Sequence, residues 1–529
     1  MLILQGVDYT HPGRDPLFTD IHFTLNRRDK IALTGNNGSG KSTLLRIMAG
    51  ELQPSRGLVK TETKPYYVPQ LWDRFADATV AQALRVQDKL LALKKILAGD
   101  VTETNLQILA DDWTIEERCR EELAHWQLDG LDWSQPMRTL SGGQKTKVFL
   151  AGILIHEPEI ILLDEPGNHL DGAGRRLLHE LILSTRAALV LVSHDRHLLN
   201  LPGLLCELEN GGLTMYGGNY DFYREQKAIE QTALYHDLKS AEKAFRKAKE
   251  VQRESLERQQ KLDARGKKKQ EKAGLPTISM HTFRNNAEKS TARVKDIHAE
   301  KVNALAAELG QLREALPASG AIRLLFDDAA LHKGKVLITA RGVNARFNDR
   351  LLWKQGLSIQ ITSGERIAVK GANGSGKTTL IKFFLGALQP AAGTIESTIS
   401  QAIYIDQDYS LINVRLSVYE QAQRFNPGSL HEHEIKLRLN RFLFDKTAWD
   451  KPCRALSGGE RMRLLLCCLT IGNQAPDLIV LDEPTNNLDV QNVDILIRAL
   501  SEYKGTLLVV SHDKYFLEQI GIGRSLMLE

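Results

Sequence analysis

The 529-residue chain has no apolar run long enough to cross a bilayer, which takes roughly 18 residues nearly free of charge. Met1 to Gly6 lack a basic stretch ahead of a long apolar one, so no secretory leader is expected. Cysteine is sparse. Cys119, Cys206, Cys453, Cys467 and Cys468 are odd in number and show no metal-ligand spacing, which excludes a disulfide framework and a zinc cluster. Buried thiols in a reducing, cytoplasmic compartment are expected instead. From Asp221 to Gln270 there is no proline and only one glycine, Gly266, so nothing there interrupts a helix. Disorder is excluded as well: 42% of residues are apolar and 25% charged, ordinary values for a folded chain of roughly two to four domains.

What is present is self-similarity. Gly35-Asn36-Asn37-Gly38-Ser39-Gly40-Lys41-Ser42-Thr43 returns as Gly371-Ala372-Asn373-Gly374-Ser375-Gly376-Lys377-Thr378-Thr379. Leu140-Ser141-Gly142-Gly143-Gln144 returns as Leu456-Ser457-Gly458-Gly459-Glu460. Ile161 to Pro166 returns as Ile479 to Pro484, and Val192-Ser193-His194-Asp195 as Val510-Ser511-His512-Asp513. Motifs recurring in one order mean two copies of one domain. They are expected over 1–222 and 321–529, with a segment of different composition over 223–320.

Each glycine-rich loop follows an apolar strand, Lys30–Thr34 or Arg366–Val369, and opens a helix. Glycines let backbone N–H groups converge on phosphate oxygens, and the helix N-terminus adds its dipole. Lys41 and Lys377 are expected to reach the β- and γ-phosphates of ATP. Ser42 and Thr378 are expected to hold Mg²⁺. The apolar runs Ile160–Asp164 and Leu478–Asp482 each end in an acid, as a buried parallel strand does when it delivers a carboxylate to a sheet edge. Asp164 and Asp482 are therefore expected at Mg²⁺. The adjacent Glu165 and Glu483 are expected to orient or deprotonate the attacking water. His194 and His512 follow apolar strands and are expected at the γ-phosphate.

These residues resemble the ATP-binding-cassette (ABC) ATPases, whose Leu-Ser-Gly-Gly-Gln/Glu motif separates them from other phosphate-loop enzymes. The resemblance implies an α/β fold and ATP sites shared between domains. Ser457, Gly458, Gly459 and Glu460 would cover ATP at Lys41, and Ser141, Gly142, Gly143 and Gln144 would cover ATP at Lys377. It also implies that Gln70 and Gln407 contact Mg²⁺ and water, that Asp171 and Asp489 match the family's D-loop, and that an aromatic ring stacks on adenine. Phe347 fits that last role in the second copy; Tyr9 and His11 are the candidates in the first. One departure stands out. Gly167 and His169 occupy the places of Thr485 and Asn487, and the two sites are expected to differ in rate for that reason.

The intervening segment reads as two helices. Leu234, Leu238, Ala241, Phe245 and Ala248 form a coiled-coil seam, as do Val302, Leu305, Leu309, Leu312 and Leu316. Gly274-Leu275-Pro276-Thr277 breaks the pattern between them. From Lys243 to Lys295 there are 16 Lys/Arg against 6 Asp/Glu, so this stretch carries +10 in a chain of net +4. A basic tip on a long arm favours a polyanion. Arg265, Lys267, Lys268, Lys269 and Arg284 are its candidate RNA contacts.

Twin cassettes around a charged helical linker resemble the ABC-F family. That resemblance implies a cytoplasmic translation factor, monomeric, with its two domains paired and no permease. Its linker would enter the ribosome at the tRNA exit site and touch rRNA and tRNA. Some ABC-F members protect ribosomes from antibiotics and others regulate elongation or assembly, and both remain open here. The family also inserts an arm in the first domain. Gln70 to Leu140 exceeds Gln407 to Leu456 by 21 positions, which places a short arm near 84–113. Two other readings compete. A transporter ATPase has no use for the basic hairpin, and DNA-repair ABC ATPases carry coiled coils inside one domain rather than between two.

Overall fold

The computed structural model describes every residue except 14, 71–74, 273–295, 314–333, 348–349, 373, 429, 473–474, 487 and 529, and describes only the backbone at 263–264, 266–272 and 347. Described residues fall into two compact units. One comprises Met1–Asp221 with Ala321–Glu529, the other Phe222–Gly320.

Within the first unit the cassettes repeat one architecture. In the first, a mainly parallel sheet runs in the order Tyr66–Val68, Ile160–Asp164, Ala188–Val192, Lys30–Thr34, Leu204–Glu209, Gly212–Tyr216, the last pairing antiparallel. In the second the order is Ala402–Ile405, Leu478–Asp482, Thr506–Val510, Arg366–Gly371, Arg524–Leu528. The central strands are wholly buried, Ile160–Asp164 and Ala188–Val192 at every residue. This is why they read as unbroken apolar runs rather than alternating ones. A three-stranded antiparallel sheet packs over the helix that each glycine-rich loop opens, Lys41–Met48 or Lys377–Phe384. It is Pro16–Leu25, Leu2–Thr10, Arg56–Thr61 in the first cassette and Leu357–Thr362, Val336–Asn344, Ala392–Ser397 in the second. The register Asp164↔Val192 and Asp482↔Val510 sets each acid level with the end of the strand that leads to its histidine.

A helical layer carries the Ser-Gly-Gly motifs. Ser141 and Ser457 each cap a long buried helix, Gly142–His156 and Gly458–Ile471. The layer begins alike in both cassettes, with a capped helix at Val80–Ala83 or Val418–Arg424. The first cassette then has two further helices, Gln87–Leu97 and Glu103–Leu109, before Ile115–His125. Those two pack on each other and lie within the stretch expected to hold an arm. All five cysteines are buried free thiols.

The second unit is helical where described: Tyr220–Lys272 is one helix of 53 residues, about 80 Å at 1.5 Å per residue, and residues 296–313 form another. Leu234, Leu238, Phe245 and Ala248 are half-buried and Ala241 buried; on the other helix Val302, Leu305 and Leu312 are half-buried and Leu309 buried. Arg313 Nη2 donates to Glu242 Oε1 at 2.9 Å. The helices therefore lie side by side along the seams. Gly274 to Thr277, Leu316 and Arg284 lie outside the described residues, as do the side chains of Lys267, Lys268 and Lys269; Arg265 is exposed. No described helix is long and apolar enough to cross a membrane.

Candidate functional site

Each phosphate loop is shaped by glycine where another residue would not fit. Gly40 has φ 102°, and a Cβ there would sit 2.8 Å from Leu17 Cδ2. The helix Lys41–Met48 starts from this residue with no side-chain cap, which leaves its first N–H groups for a ligand. Gly376 plays the same part at φ 90° ahead of Lys377–Phe384. Lys41 Nζ donates to Gly35 O at 2.8 Å and Asn36 O at 3.0 Å, and Lys377 Nζ to Gly371 O at 2.8 Å and Ala372 O at 2.9 Å. Both ammonium groups are thus held across the loop mouths. Burial lowers the pKa of each, opposed by nearby carboxylates, Glu165 first for Lys41 and Glu483 first for Lys377. The Ser39 and Ser375 hydroxyls are buried within the loops without a partner. Asn373 lies outside the described residues.

The donor set beside each lysine fits Mg²⁺ bound to a nucleotide. Tyr67 Oη donates to Asp164 Oδ2 at 3.1 Å while Asp164 Oδ1 is buried with no partner, and Ser42 hydrogen-bonds the same carboxylate. In the second cassette Tyr404 Oη at 3.0 Å and Thr378 Oγ1 at 3.4 Å both donate to Asp482 Oδ2. A buried acid with an unfilled oxygen next to a hydroxyl is what a hard cation requires. Burial raises the pKa of both aspartates, and a cation would reverse that.

Glu165 and Glu483 follow directly, each in the left-handed region at φ 51° and φ 49°. Their backbone N–H groups donate to Val192 O at 2.9 Å and Val510 O at 2.8 Å, which fixes the turn. This conformation is costly for a glutamate, and here it turns each carboxylate toward a histidine. His194 N donates to Glu165 Oε2 at 3.2 Å, and His194 Nε2 lies 3.4 Å from Glu165 Oε1. His512 Nε2 lies 3.5 Å from Glu483 Oε1. Burial pushes Glu165 up to about 8 and Glu483 up to about 7, and pushes His194 down to about 3 and His512 down to about 4. Without nucleotide the histidines are neutral, able to donate from one ring nitrogen and accept at the other.

Two cavities adjoin these residues; Lys377, Thr378 and Asp482 are not in the lining of the second, which borders Glu483 and His512. One, of about 340 Å³, is bordered by Lys41, Ser42, Thr43, Gln70, Asp164, Glu165 and His194, and by His11. Its described lining comes from the first cassette alone, so Ser457, Gly458, Gly459 and Glu460 are not brought to it. The second cassette reaches this site through Asp489, whose Oδ2 accepts from Asn37 N at 3.1 Å. The other cavity, of about 190 Å³, is lined by both cassettes: Ser141, Gly142, Gly143, His169 and Arg175 from the first, and Gln407, Glu483 and His512 from the second. Between the sites, Arg196 pairs with Asp494 across the interface and stacks 3.9 Å from the centre of the Tyr515 ring.

Several sequence expectations move. Tyr9 is only 8% exposed and packs in the core against Phe18, so it does not face adenine; His11, edge-on to Tyr9 at 5.0 Å, borders the cavity instead. The side chain of Phe347 lies outside the described residues. Gln144 and Glu460 do not present their side chains to nucleotide. Gln144 Oε1 accepts from Ser141 N at 2.9 Å and Glu460 Oε2 from Ser457 N at 2.7 Å, the reciprocal cap of the two helices. His169, read with Glu165, lines the opposite cavity, where it packs on Gly142. Sequence reasoning missed Tyr67 and Tyr404, although both stand three residues ahead of Gln70 and Gln407. It also missed Arg175, for which the repeat offers no signal because Val493 takes its place.

Comparison with known proteins gives consistent matches. The family model for ABC transporter matches residues 18–168 and 354–486. A probable ATP-binding protein, YbiT of Escherichia coli O157:H7, is 30% identical over 96% of this chain and 92% of its own length. The ribosome protection protein VmlR of Bacillus subtilis (strain 168) is 30% identical over 95% of this chain and 82% of its own. An archaeal ribosome recycling factor, aABCE1, solved with ribosomal stalk protein aP1, shares the fold with a TM-score of 0.60. It covers 97% of this chain and 86% of that one at 18% identity.

Proposed function

Because the chain belongs to the ABC transporter family of ATPases, in its tandem ABC-F type, we propose that it is a cytoplasmic, ribosome-associated translation factor. Its ATP sites would govern when it binds the ribosome and when it leaves. The observation that carries this reading is the paired helical unit, whose sequence from Lys243 to Lys295 carries +10 between two ATPase cassettes. A polyanionic surface is the partner that such a unit attracts. In this reading the helices enter at the tRNA exit site, where Arg265, Lys267, Lys268, Lys269 and Arg284 hold rRNA or tRNA phosphates without reading sequence. VmlR, a relative of similar length coverage, is by name a ribosome protection protein. Antibiotic protection is the narrower form of the proposal.

ATP is the substrate. Lys41 with Gly35 to Thr43, and Lys377 with Gly371 to Thr379, would cradle its phosphates. Ser42, Gln70 and Asp164, or Thr378, Gln407 and Asp482, would hold Mg²⁺, which supplies neutralising charge at the phosphates. Glu165 and Glu483 align water and take its proton; His194 and His512 contact the terminal phosphate. The helix starts at Ser141–Gly143 and Ser457–Gly459 close on nucleotide held by the other cassette, so ATP joins the halves and hydrolysis lets them part.

Sedimentation tests the reading. A Glu165→Gln/Glu483→Gln double variant should accumulate with ribosomes in a sucrose gradient when ATP is present, and should arrest translation. Recovery only in the soluble fraction would sink the ribosomal reading. Reversing charge at Lys267, Lys268 and Lys269 should weaken that association most at low salt and make it less salt-dependent. A panel of ribosome-targeting drugs, with and without the gene, tests antibiotic protection.

A further inference from the structure

Arg175 belongs to the first cassette but borders the cavity of the second. It stands in the first turn of the helix Gly172–Ser184, and it lines the same 190 Å³ space as Gln407, Glu483, His512 and Ser141–Gly143. Its Nη1 donates to Asp195 Oδ2 at 2.8 Å and its Nε to Leu170 O at 3.4 Å. Among the described residues, Nη2 has no partner. Asp195 directly follows His194, whose backbone N–H donates to Glu165. A short bonded chain therefore runs from Glu165 through His194 and Asp195 to a guanidinium beside Glu483. The pseudo-symmetric position in the second cassette, counted from Leu488-Asp489 as Arg175 is from Leu170-Asp171, holds Val493, a core residue 4% exposed. The first cavity receives no such cation from the second cassette.

We propose that Arg175 is a catalytic residue which the first cassette supplies in trans to ATP held by the second, and that through Asp195 it ties turnover at the second site to the state of the first. The chemistry is specific. A guanidinium offers planar paired donors to phosphate oxygens, and one arm anchored on Asp195 leaves the other directed at the ligand. Such a donor, lining the same cavity as the glutamate that activates the attacking water, steadies charge on the terminal phosphate as the bond to the leaving group lengthens. The proposal rests on ATPase activity and not on the ribosomal reading, so failure of either leaves the other standing.

The test separates the sites. In full-length protein, Glu165→Gln leaves the second glutamate to act and Glu483→Gln leaves the first. Into each background Arg175→Gln is introduced. It removes the charge and the paired donors and is too short to keep the Nη1 bond to Asp195. First-turnover rates are measured by rapid quench at saturating ATP, and KM in steady state. The expected result is a fall of about 10- to 100-fold in the first-turnover rate in the Glu165→Gln background, at least ten times the fall in the Glu483→Gln background. KM should change less than the rate. Arg175→Lys, with charge but no fork, should recover part of the loss. Equal losses in both backgrounds, a change in KM alone, or no turnover in Glu165→Gln with Arg175 intact would each overturn the proposal. If Arg175→Gln melts early, Arg175→Lys carries the comparison; a rate equal to that of Arg175 itself in both backgrounds would overturn it as well.

Discussion

The first ATP cavity is walled by its own cassette and touched by the other through one carboxylate, Asp489, whereas the second is walled by both cassettes and includes a guanidinium from across the interface. The glycine-rich loops, strand-end aspartates, glutamates and histidines are the same in kind. What differs is what each site borrows. The lesson is that duplication preserves the residues that touch phosphate and lets the neighbouring turns diverge: Arg175 against Val493, His169 against Asn487, Gly167 against Thr485.

The largest expected effect tests what the sites share. Glu165→Gln with Glu483→Gln should lower ATP turnover by about 10³-fold in a phosphate-release assay, because in the proposed mechanism the two glutamates take the proton from the attacking water. The single variants should then be unequal; equal losses would break the comparison at its root. Next are the histidines. His194→Ala and His512→Ala should each cost about 10- to 100-fold in turnover with little loss of ATP affinity, measured by kcat and KM. A loss confined to KM would reduce them to binding contacts.

A smaller effect concerns stability. Burial holds Glu165 at about 8 and Glu483 at about 7 against an ordinary 4.5, so the fold tolerates the protonated forms. A raised carboxyl contributes stability that is complete below the unfolded pKa and is lost as pH rises through the folded one. Nucleotide-free protein should therefore melt lower as pH rises from about 4.5, the loss through Glu483 being complete near 7 and that through Glu165 continuing to near 8. Glu165→Gln should flatten the upper part of the curve and Glu483→Gln the lower. Identical curves for the two variants would erase this distinction between the sites. The smallest effect is expected at Gly167. A Cβ there would stand 3.0 Å from Leu198 Cδ1, a contact that a flexible leucine relieves. Gly167→Thr should change turnover in the Glu483→Gln background by less than about threefold. A larger change would assign the rate difference to this turn rather than to Arg175.

Most of the candidate site was legible because its motifs are local. A glycine loop between strand and helix, an apolar strand ending in an acid, and a strand ending in Ser-His-Asp are each complete within ten residues or so. Where reading failed, the reason was of two kinds. Some signals were present and weighed wrongly. Ser141 with Gln144, and Ser457 with Glu460, have the spacing of a reciprocal helix cap, and Val7 and Tyr9 alternate in phase along a strand facing the core. Others were absent. Nothing in the sequence near Arg175 or His169 says that they face the opposite cassette, since that depends on how two domains meet.

The left-handed backbone at Glu165 and Glu483 also limits how such proteins diverge. Branched residues at Cβ strain that conformation severely, while glycine, asparagine and aspartate adopt it at low cost. Over descent, a cassette that loses hydrolysis can drift readily only among this short set and glutamine. The lineage record of a retired site should then be narrow, with valine, isoleucine and threonine rare at this one position even after selection on catalysis has ended.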